Sequence, residues 1–312
     1  IVFGDWSSDV CSSDLPLLIF LFSVLASADA LAWNAAGHRL VAVIAWQEMA
    51  PETRAFVDTA LRHHPDHGRW REKAGADDSA LIFAEASTWP DSIRHDPRFT
   101  EETAASPLPG FPDMQRHSNW HYVDFDRRGK RGRGQLDRQI STLSETLKTA
   151  QDAARIAWAL PWLAHLVADL HQPFHVGYPA DHGGNSLLVE DPADARRPFV
   201  SLHTWWDDLP GKSGLRGKRL WQKAGALLAE QAPPQQGNEA LWLRESRALL
   251  PSLYPENAGS VALLVDATYQ ARARKIAERR ISEAGWRLAG RLDAIYRQRV
   301  SHGTPLEFSR QQ

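Results

Sequence analysis

Between residues 153 and 175 the chain reads AARIAWALPWLAHLVADLHQPFH, an apolar run at helical spacing that Pro173 brings to an end. His165 and Asp169 stand four apart within it, so both side chains leave one face of the predicted helix. An imidazole and a carboxylate placed in this way can bind neighbouring metal ions, and His175, just past the helix end, can address another. Downstream, SLHTWWDDLP repeats the spacing with His203 and Asp207 on a predicted helical turn. Upstream, STWPD supplies Asp91 and NWHYVD supplies His121, each next to a tryptophan suited to walling a buried site. Taken singly, a histidine beside apolar residues is more often a hydrogen-bonded core or surface residue, so the conjunction carries the argument. Imidazole and carboxylate ligands without thiolate suit zinc in a hydrolytic site. Three carboxylates cannot neutralise three divalent ions, and a site left with about three positive charges suits a phosphodiester.

The remaining pattern predicts a mainly α protein. Leu40, Val41, Ile44 and Ala45 recur at helical spacing, as do Phe56, Val57 and Leu61 after a start at Pro51. Further helices are predicted over 79–87, 136–150, 153–172, 214–231 and 238–249, with two long ones between 257 and 299. Alternating strand-like runs are scarce, and loops are expected at 94–119, 127–134 and 177–197, where Gly and Pro are frequent. No interdomain linker and no repeat stands out, so residues 33–312 read as a single catalytic domain.

The segment LPLLIFLFSVLASADALA is too short in its apolar core, and wrongly flanked, for a spanning helix. Its ending at Ala30-Leu31-Ala32 marks a signal-peptidase site, so residues 1–32 are expected to be a removed export leader, giving a secreted or periplasmic protein without a membrane anchor. Residues 1–14 contain three Asp and no Lys or Arg, which is foreign to a signal n-region; they are read as a mis-called start or a sequence artefact. Cleavage gives Trp33 a free α-amine and a carbonyl that can both bind one metal ion, five residues before His38 in WNAAGH. The only cysteine, Cys11, leaves with the leader, so metal ions are the available staple for an exported chain without disulfides. Removing the leader takes four Asp and no basic residue, moving the formal charge from −2 to +2. Overall charge therefore gives no nucleic-acid footprint, and attraction for anions must be local.

WNAAGH, STWPD, HYVD, HLVADLHQPFH with HGGN, and HTWWD stand in the order and approximate spacing of the secreted three-zinc, single-strand-specific nucleases of fungi and plants, which also act as 3′-nucleotidases. The resemblance covers essentially all of the chain after residue 32 and implies a mainly α-helical single domain with a trinuclear zinc cleft. It implies one zinc on Asp91, His121, His165 and Asp169, a second on the Trp33 amine and carbonyl, His38 and a bridging Asp169, and a third on His175, His203 and Asp207. Zinc lowers the pKa of a bound water toward neutrality. Asp91 is then placed to orient the attacking water, and the expected product carries a 5′-phosphate. Arg94, three residues after Asp91, matches a basic position that neutralises charge on the phosphate; the alternative is an exposed surface arginine. Tyr122 matches an aromatic position against which a base stacks, or else simply packs in the cleft wall, while Asp124 and Asn185 match groups that hydrogen-bond the base edge. Stacking requires an unstacked base, which fits single-stranded DNA or RNA and 3′-nucleotides as substrates. A monomer is expected.

Two features exceed the pattern. HGGN begins seven residues after His175, which leaves the length of the Asn185 loop and the role of His182 open. RRGKRGRG, over 127–134, reads either as a solvated loop or as a flexible arm contacting phosphates beyond the scissile one. His171 and Asp208 neighbour ligands but turn to other faces, giving them structural or supporting roles, and His63, His64 and His67 are expected at the surface. The competing readings are a zinc phospholipase C, which the final Asp of HTWWD disfavours because Glu is typical there, and a non-catalytic zinc-binding protein.

Overall fold

The computed structural model describes residues 33–101, 107–255 and 262–303; the expected leader, with residues 1–14, lies outside the described residues. Helices begin where the sequence supplies caps. Asn34 accepts from the Ala36 and Gly37 amides to open α1 (Ala35–Glu48), and Pro51 fills the first turn of α2 (Pro51–Leu61). The next helices are α3 (His67–Ala74), α4 (Ser79–Ala86), capped by Asp78, and the single turn α5 (Trp89–Ser92). A hairpin follows, pairing β1 (Val123–Phe125) antiparallel with β2 (Arg131–Gly134). The expected loop over 127–134 is thus a turn and a strand.

Two antiparallel helices, α6 (Leu136–Thr149) and α7 (Ala153–Leu170), come next, and the chain then turns through a 3-10 segment at Pro173–Val176. Strands β3 (Leu188–Glu190) and β4 (Phe199–Ser201) lead into α8 (Leu202–Asp207), then α9 (Gly217–Glu230) and α10 (Glu239–Leu249). Strand β5 (Leu263–Leu264) joins β3 in parallel, completing a three-stranded sheet of order β4-β3-β5. The chain finishes in α11 (Ala267–Ser301), capped by Asp266. The fold is therefore mainly α, as expected, with two corrections. The C-terminal region holds one 35-residue helix among the described residues where two were predicted, and α3 and α5 were not separated from the loops around them, whereas α8 is the helical turn expected for His203 and Asp207.

Helix α7 runs through the middle of the core: from Ala159 to Leu170 every residue is buried, His165 and Asp169 included. Around it α1 packs on α11, α4, α9 and α7, so the two faces of α1 are both covered. No helix among the described residues is long and apolar enough to cross a membrane.

Candidate active site

Five segments deliver the site. The start of α1 brings His38, α5 brings Asp91, the turn before β1 brings His121, α7 with the turn directly after it brings His165, Asp169 and His175, and α8 brings His203 and Asp207. Except for Asp91, all of these are buried.

Backbone carbonyls orient the imidazoles. His165 Nδ1 donates to the Ser87 carbonyl at 2.9 Å and His203 Nδ1 to the Gly183 carbonyl at 2.7 Å, while His175 Nδ1 donates to the carbonyl of His121. With the proton on Nδ1, the Nε2 lone pair of each ring faces the cluster. The result is a set of acceptors drawn together. His121 Nδ1 lies 3.0 Å from His165 Nε2 and 3.1 Å from Asp169 Oδ2, and Asp91 Oδ1 is 3.6 Å from His165 Nε2. Likewise His175 Nε2 and His203 Nε2 are 3.1 Å apart, with Asp207 Oδ2 3.5 Å from His203 Nε2. Ligands about 2.0 Å from a tetrahedral ion stand about 3.3 Å apart, so these spacings fit a cation that joins the lone pairs.

His38 Nε2 lies 3.5 Å from Asp169 Oδ1 and 3.9 Å from Asp91 Oδ2, while its ring stacks on His165 with centroids 3.8 Å apart. Each of these two carboxylates thus turns one oxygen toward His121 and His165 and the other toward His38. Three groups could hold a metal: His38, Asp91 and His165; His121, His165 and Asp169; and His175, His203 and Asp207. The resemblance did not join Asp91 to His38; the structure places it against both.

Polar atoms left unsatisfied support the same reading. Asp91 Oδ1, Asp169 Oδ1, Asp207 Oδ2 and His38 Nε2, which face the cluster, are buried atoms without a hydrogen-bond partner among the described residues, a costly state unless something else binds there. Burial, reinforced by neighbouring positive charge, holds His38 and His121 well below the usual histidine range, in the neutral form that ligates. Burial also pushes Asp169 up to about 6 and Asp207 well above the carboxylate range. A cation in their midst supplies the charge that burial withholds.

The N-terminal segment is pinned beside the third group. The Asn34 amide donates to the Asp207 carbonyl at 3.1 Å, and the Asn34 side chain donates to Asp208 Oδ1 and to the Gly211 carbonyl. Trp33 is wholly buried over the first turn of α1. A Cβ at Gly37 would stand 2.6 Å from Trp33 Cβ, so the glycine of WNAAGH is what lets the indole lie there.

Arg94 is buried, with Nη2 3.3 Å from Asp91 Oδ1, which removes the surface-arginine alternative. The two tryptophans expected to wall the site stand one layer back: Trp89 and Trp120 both pack edge-on to Trp162, and it is the Trp162 ring that faces His121, with centroids 5.5 Å apart. The Trp89 indole donates to Asp66 at 2.9 Å. Tyr122 and Asp124 are half-buried beside the cluster, and Asn185 sits in the loop whose His182 and Asp181 act electrostatically on Asp124. The Asn185 side chain is engaged within that region, donating to the His182 carbonyl and accepting from Ser201 Oγ at 3.4 Å.

Sequence reasoning missed Gln172, whose Nε2 donates to Asp207 Oδ1 at 2.7 Å while its Oε1 accepts from the Phe174 amide. The amide thereby turns the other Asp207 oxygen toward His203. His64 is a correction: it is buried among Trp70, Trp89 and Phe111, and burial holds it down at about 3. His171 takes a structural role, donating to the Val167 carbonyl and accepting from Arg287.

A helical frame that collects three imidazole and carboxylate groups, with half-buried Tyr122 and Asp124 next along the chain from one of the imidazoles, has the make-up of a metallohydrolase. Comparison narrows the class: the S1/P1 Nuclease family model matches residues 33–297, and the chain belongs to that family. It is 26% identical to Endonuclease 4 of Arabidopsis thaliana across 88% of this chain and 92% of the relative. Identity to Endonuclease 3 of the same plant is 25%, across 86% of this chain and 90% of the relative. With Nuclease S1 of Aspergillus oryzae it is 23%, across 84% of this chain and 91% of the relative. The chain is accordingly a nuclease, a hydrolase acting on nucleic acid.

Proposed function

We propose that this nuclease is a zinc-dependent phosphodiesterase that cleaves single-stranded DNA and RNA to 5′-phosphate products, acts also as a 3′-nucleotidase, and works as a monomer. The observation that carries the reading is the convergence of His121, His165 and Asp169, and of His175, His203 and Asp207, with facing lone pairs 3.0 and 3.1 Å apart. Asp91, His121, His165 and Asp169 hold one ion, the Trp33 amine and carbonyl with His38 and Asp169 a second, and His175, His203 and Asp207 the third. Bound zinc supplies a water of lowered pKa and positive charge for the phosphate.

This chain's residues do the rest. Asp91, with one oxygen toward each of two groups, orients the attacking water, and the Arg94 guanidinium beside it offsets charge that develops on the phosphate. Tyr122 offers a ring face to one unpaired base, and Asp124 with Asn185 reads its edge. Removal of residues 1–32 during export frees the Trp33 amine.

Zinc analysis together with end-group analysis of cleaved single strands tests this. About three zinc ions per chain beginning at Trp33 are expected, fewer when Ala32 is retained, and phosphate is expected on the 5′ side of each cut. Asp169→Asn should reduce kcat more than Arg94→Ala, because Asp169 serves two groups. Sub-stoichiometric zinc in the chain beginning at Trp33, or 3′-phosphate ends, would overturn the reading.

A further inference from the structure

The hairpin of β1 and β2 carries five cations, Arg127, Arg128, Lys130, Arg131 and Arg133, directly after Tyr122 and Asp124. Two of them are committed to the scaffold. Arg131 makes a two-pronged pair with Asp137 at 2.8 Å on each arm, and Arg127 lies 4.6 Å over the Tyr178 ring. Arg247 secures the same hairpin from α10, donating to the Phe125, Asp126 and Val176 carbonyls with its guanidinium 4.5 Å over the Phe125 ring. The Phe125 amide donates to the Gly177 carbonyl, tying β1 to the turn that holds His175. The arm is held rather than flexible.

The other three cations take no part in holding it. Arg128, Lys130 and Arg133 are exposed, and among the described residues no ion pair or hydrogen bond engages their head groups. The nearest carboxylate in the turn, Asp126, accepts from the Arg128 and Lys130 backbone amides and closes the turn with them. Arg133 stands on β2 between Gly132 and Gly134, whose backbones lie against Asp124 and Tyr122, and its charge acts on both of those side chains. Arg128 and Lys130 stand in the turn that joins β1 to β2, at the other end of the hairpin from Tyr122.

We infer that Arg128, Lys130 and Arg133 form a phosphate track that binds the backbone of the nucleotides flanking the one at Tyr122, so that the protein favours long single strands over dinucleotides. This rests on the nuclease reading proposed above and names a subsite for it. A track of this kind neutralises phosphates without reading bases, and its signature is salt dependence.

The experiment compares cleavage of a long homopolymeric single strand with that of a dinucleotide, for the zinc-loaded protein and for a variant carrying Arg128→Gln, Lys130→Gln and Arg133→Gln. The variant should lose about tenfold in kcat/KM on the long strand, mainly through KM, with the dinucleotide changed less than about twofold. The slope of log KM against log salt on the long strand should fall by about 2, at about 0.7 for each phosphate that the variant no longer neutralises. A variant with Arg128→Lys and Arg133→Lys keeps the charges and should behave as the parent. Unchanged salt slope, or equal losses on both substrates, overturns the track while leaving the nuclease reading intact. A parent protein inert toward both substrates overturns that reading and the track with it.

Discussion

At the residue scale, Asp124 is a candidate base-reading group whose charge its surroundings set. Burial pushes its carboxyl up to about 6, against the downward pull of His182 and Arg133. Below that pH the neutral carboxyl can donate a hydrogen bond as well as accept one; above it, the carboxylate only accepts. A base edge rich in donors, as in guanine, therefore gains as pH rises from about 5 to about 7. We expect the ratio of cleavage at guanine to cleavage at the other bases to rise through about pH 6, and Asp124→Asn to flatten that rise. A flat ratio in the unaltered protein would remove Asp124 from base reading. The ligand candidates themselves were legible because i and i+4 spacing on a helix fixes a shared face. Their supports were not: the Ser87 and Gly183 carbonyls are backbone groups that any residue could offer, and Gln172 reaches Asp207 across 35 positions. The burial of His64 was hidden for a related reason, since Trp89 and Phe111, which help bury it, lie far along the chain.

At the scale of elements, caps and apolar spacing located α1, α2, α4, α6, α7, α9 and α10 closely, and the errors have physical causes. Gly285 lies inside α11 because a neighbour needs the room: a Cβ there would meet Ile44 Cγ2 at 2.2 Å and the Val41 carbonyl oxygen at 3.3 Å. A β-branched partner such as Ile44 has little rotamer freedom with which to move away. Gly285→Ala, which in an isolated helix gains about 1 kcal/mol, should here destabilise the protein by roughly 1 to 3 kcal/mol. Thermal unfolding reads the change, and combining it with Ile44→Ala should recover part of it. An increase in stability from Gly285→Ala alone would refute the close packing of α1 on α11. The hairpin was hidden by its composition, because RRGKRGRG has no apolar alternation; its order comes from Arg247 and Asp137, which are supplied by other elements.

On the scale of the whole molecule, the imidazoles and carboxylates that converge run from residue 38 to residue 207 and come from five segments. No disulfide is available to the described residues, since the single cysteine of the chain is Cys11. Ions held by the proposed site would cross-link distant parts of the chain, so that their affinity would add to folding stability. Stripping the metal with a chelator should lower the melting temperature by at least about 10 °C, and readdition of zinc should restore it. A melting temperature indifferent to chelation would show that the helical core stands without the site.

The packing of α11 across α1 has a consequence for how the protein is made. Helix α1 is made before α11, yet Val41 and Ile44 on one of its faces pack against Gly285 of that later helix. Synthesis proceeds from the N-terminus, so the chain must be made through α11 before α1 finds this neighbour. The ligand carried by that helix, His38, waits with it. The helix made earlier thus finishes its packing only when the later one arrives, and a chain cut short before α11 holds neither a sealed core around α1 nor a settled place for His38.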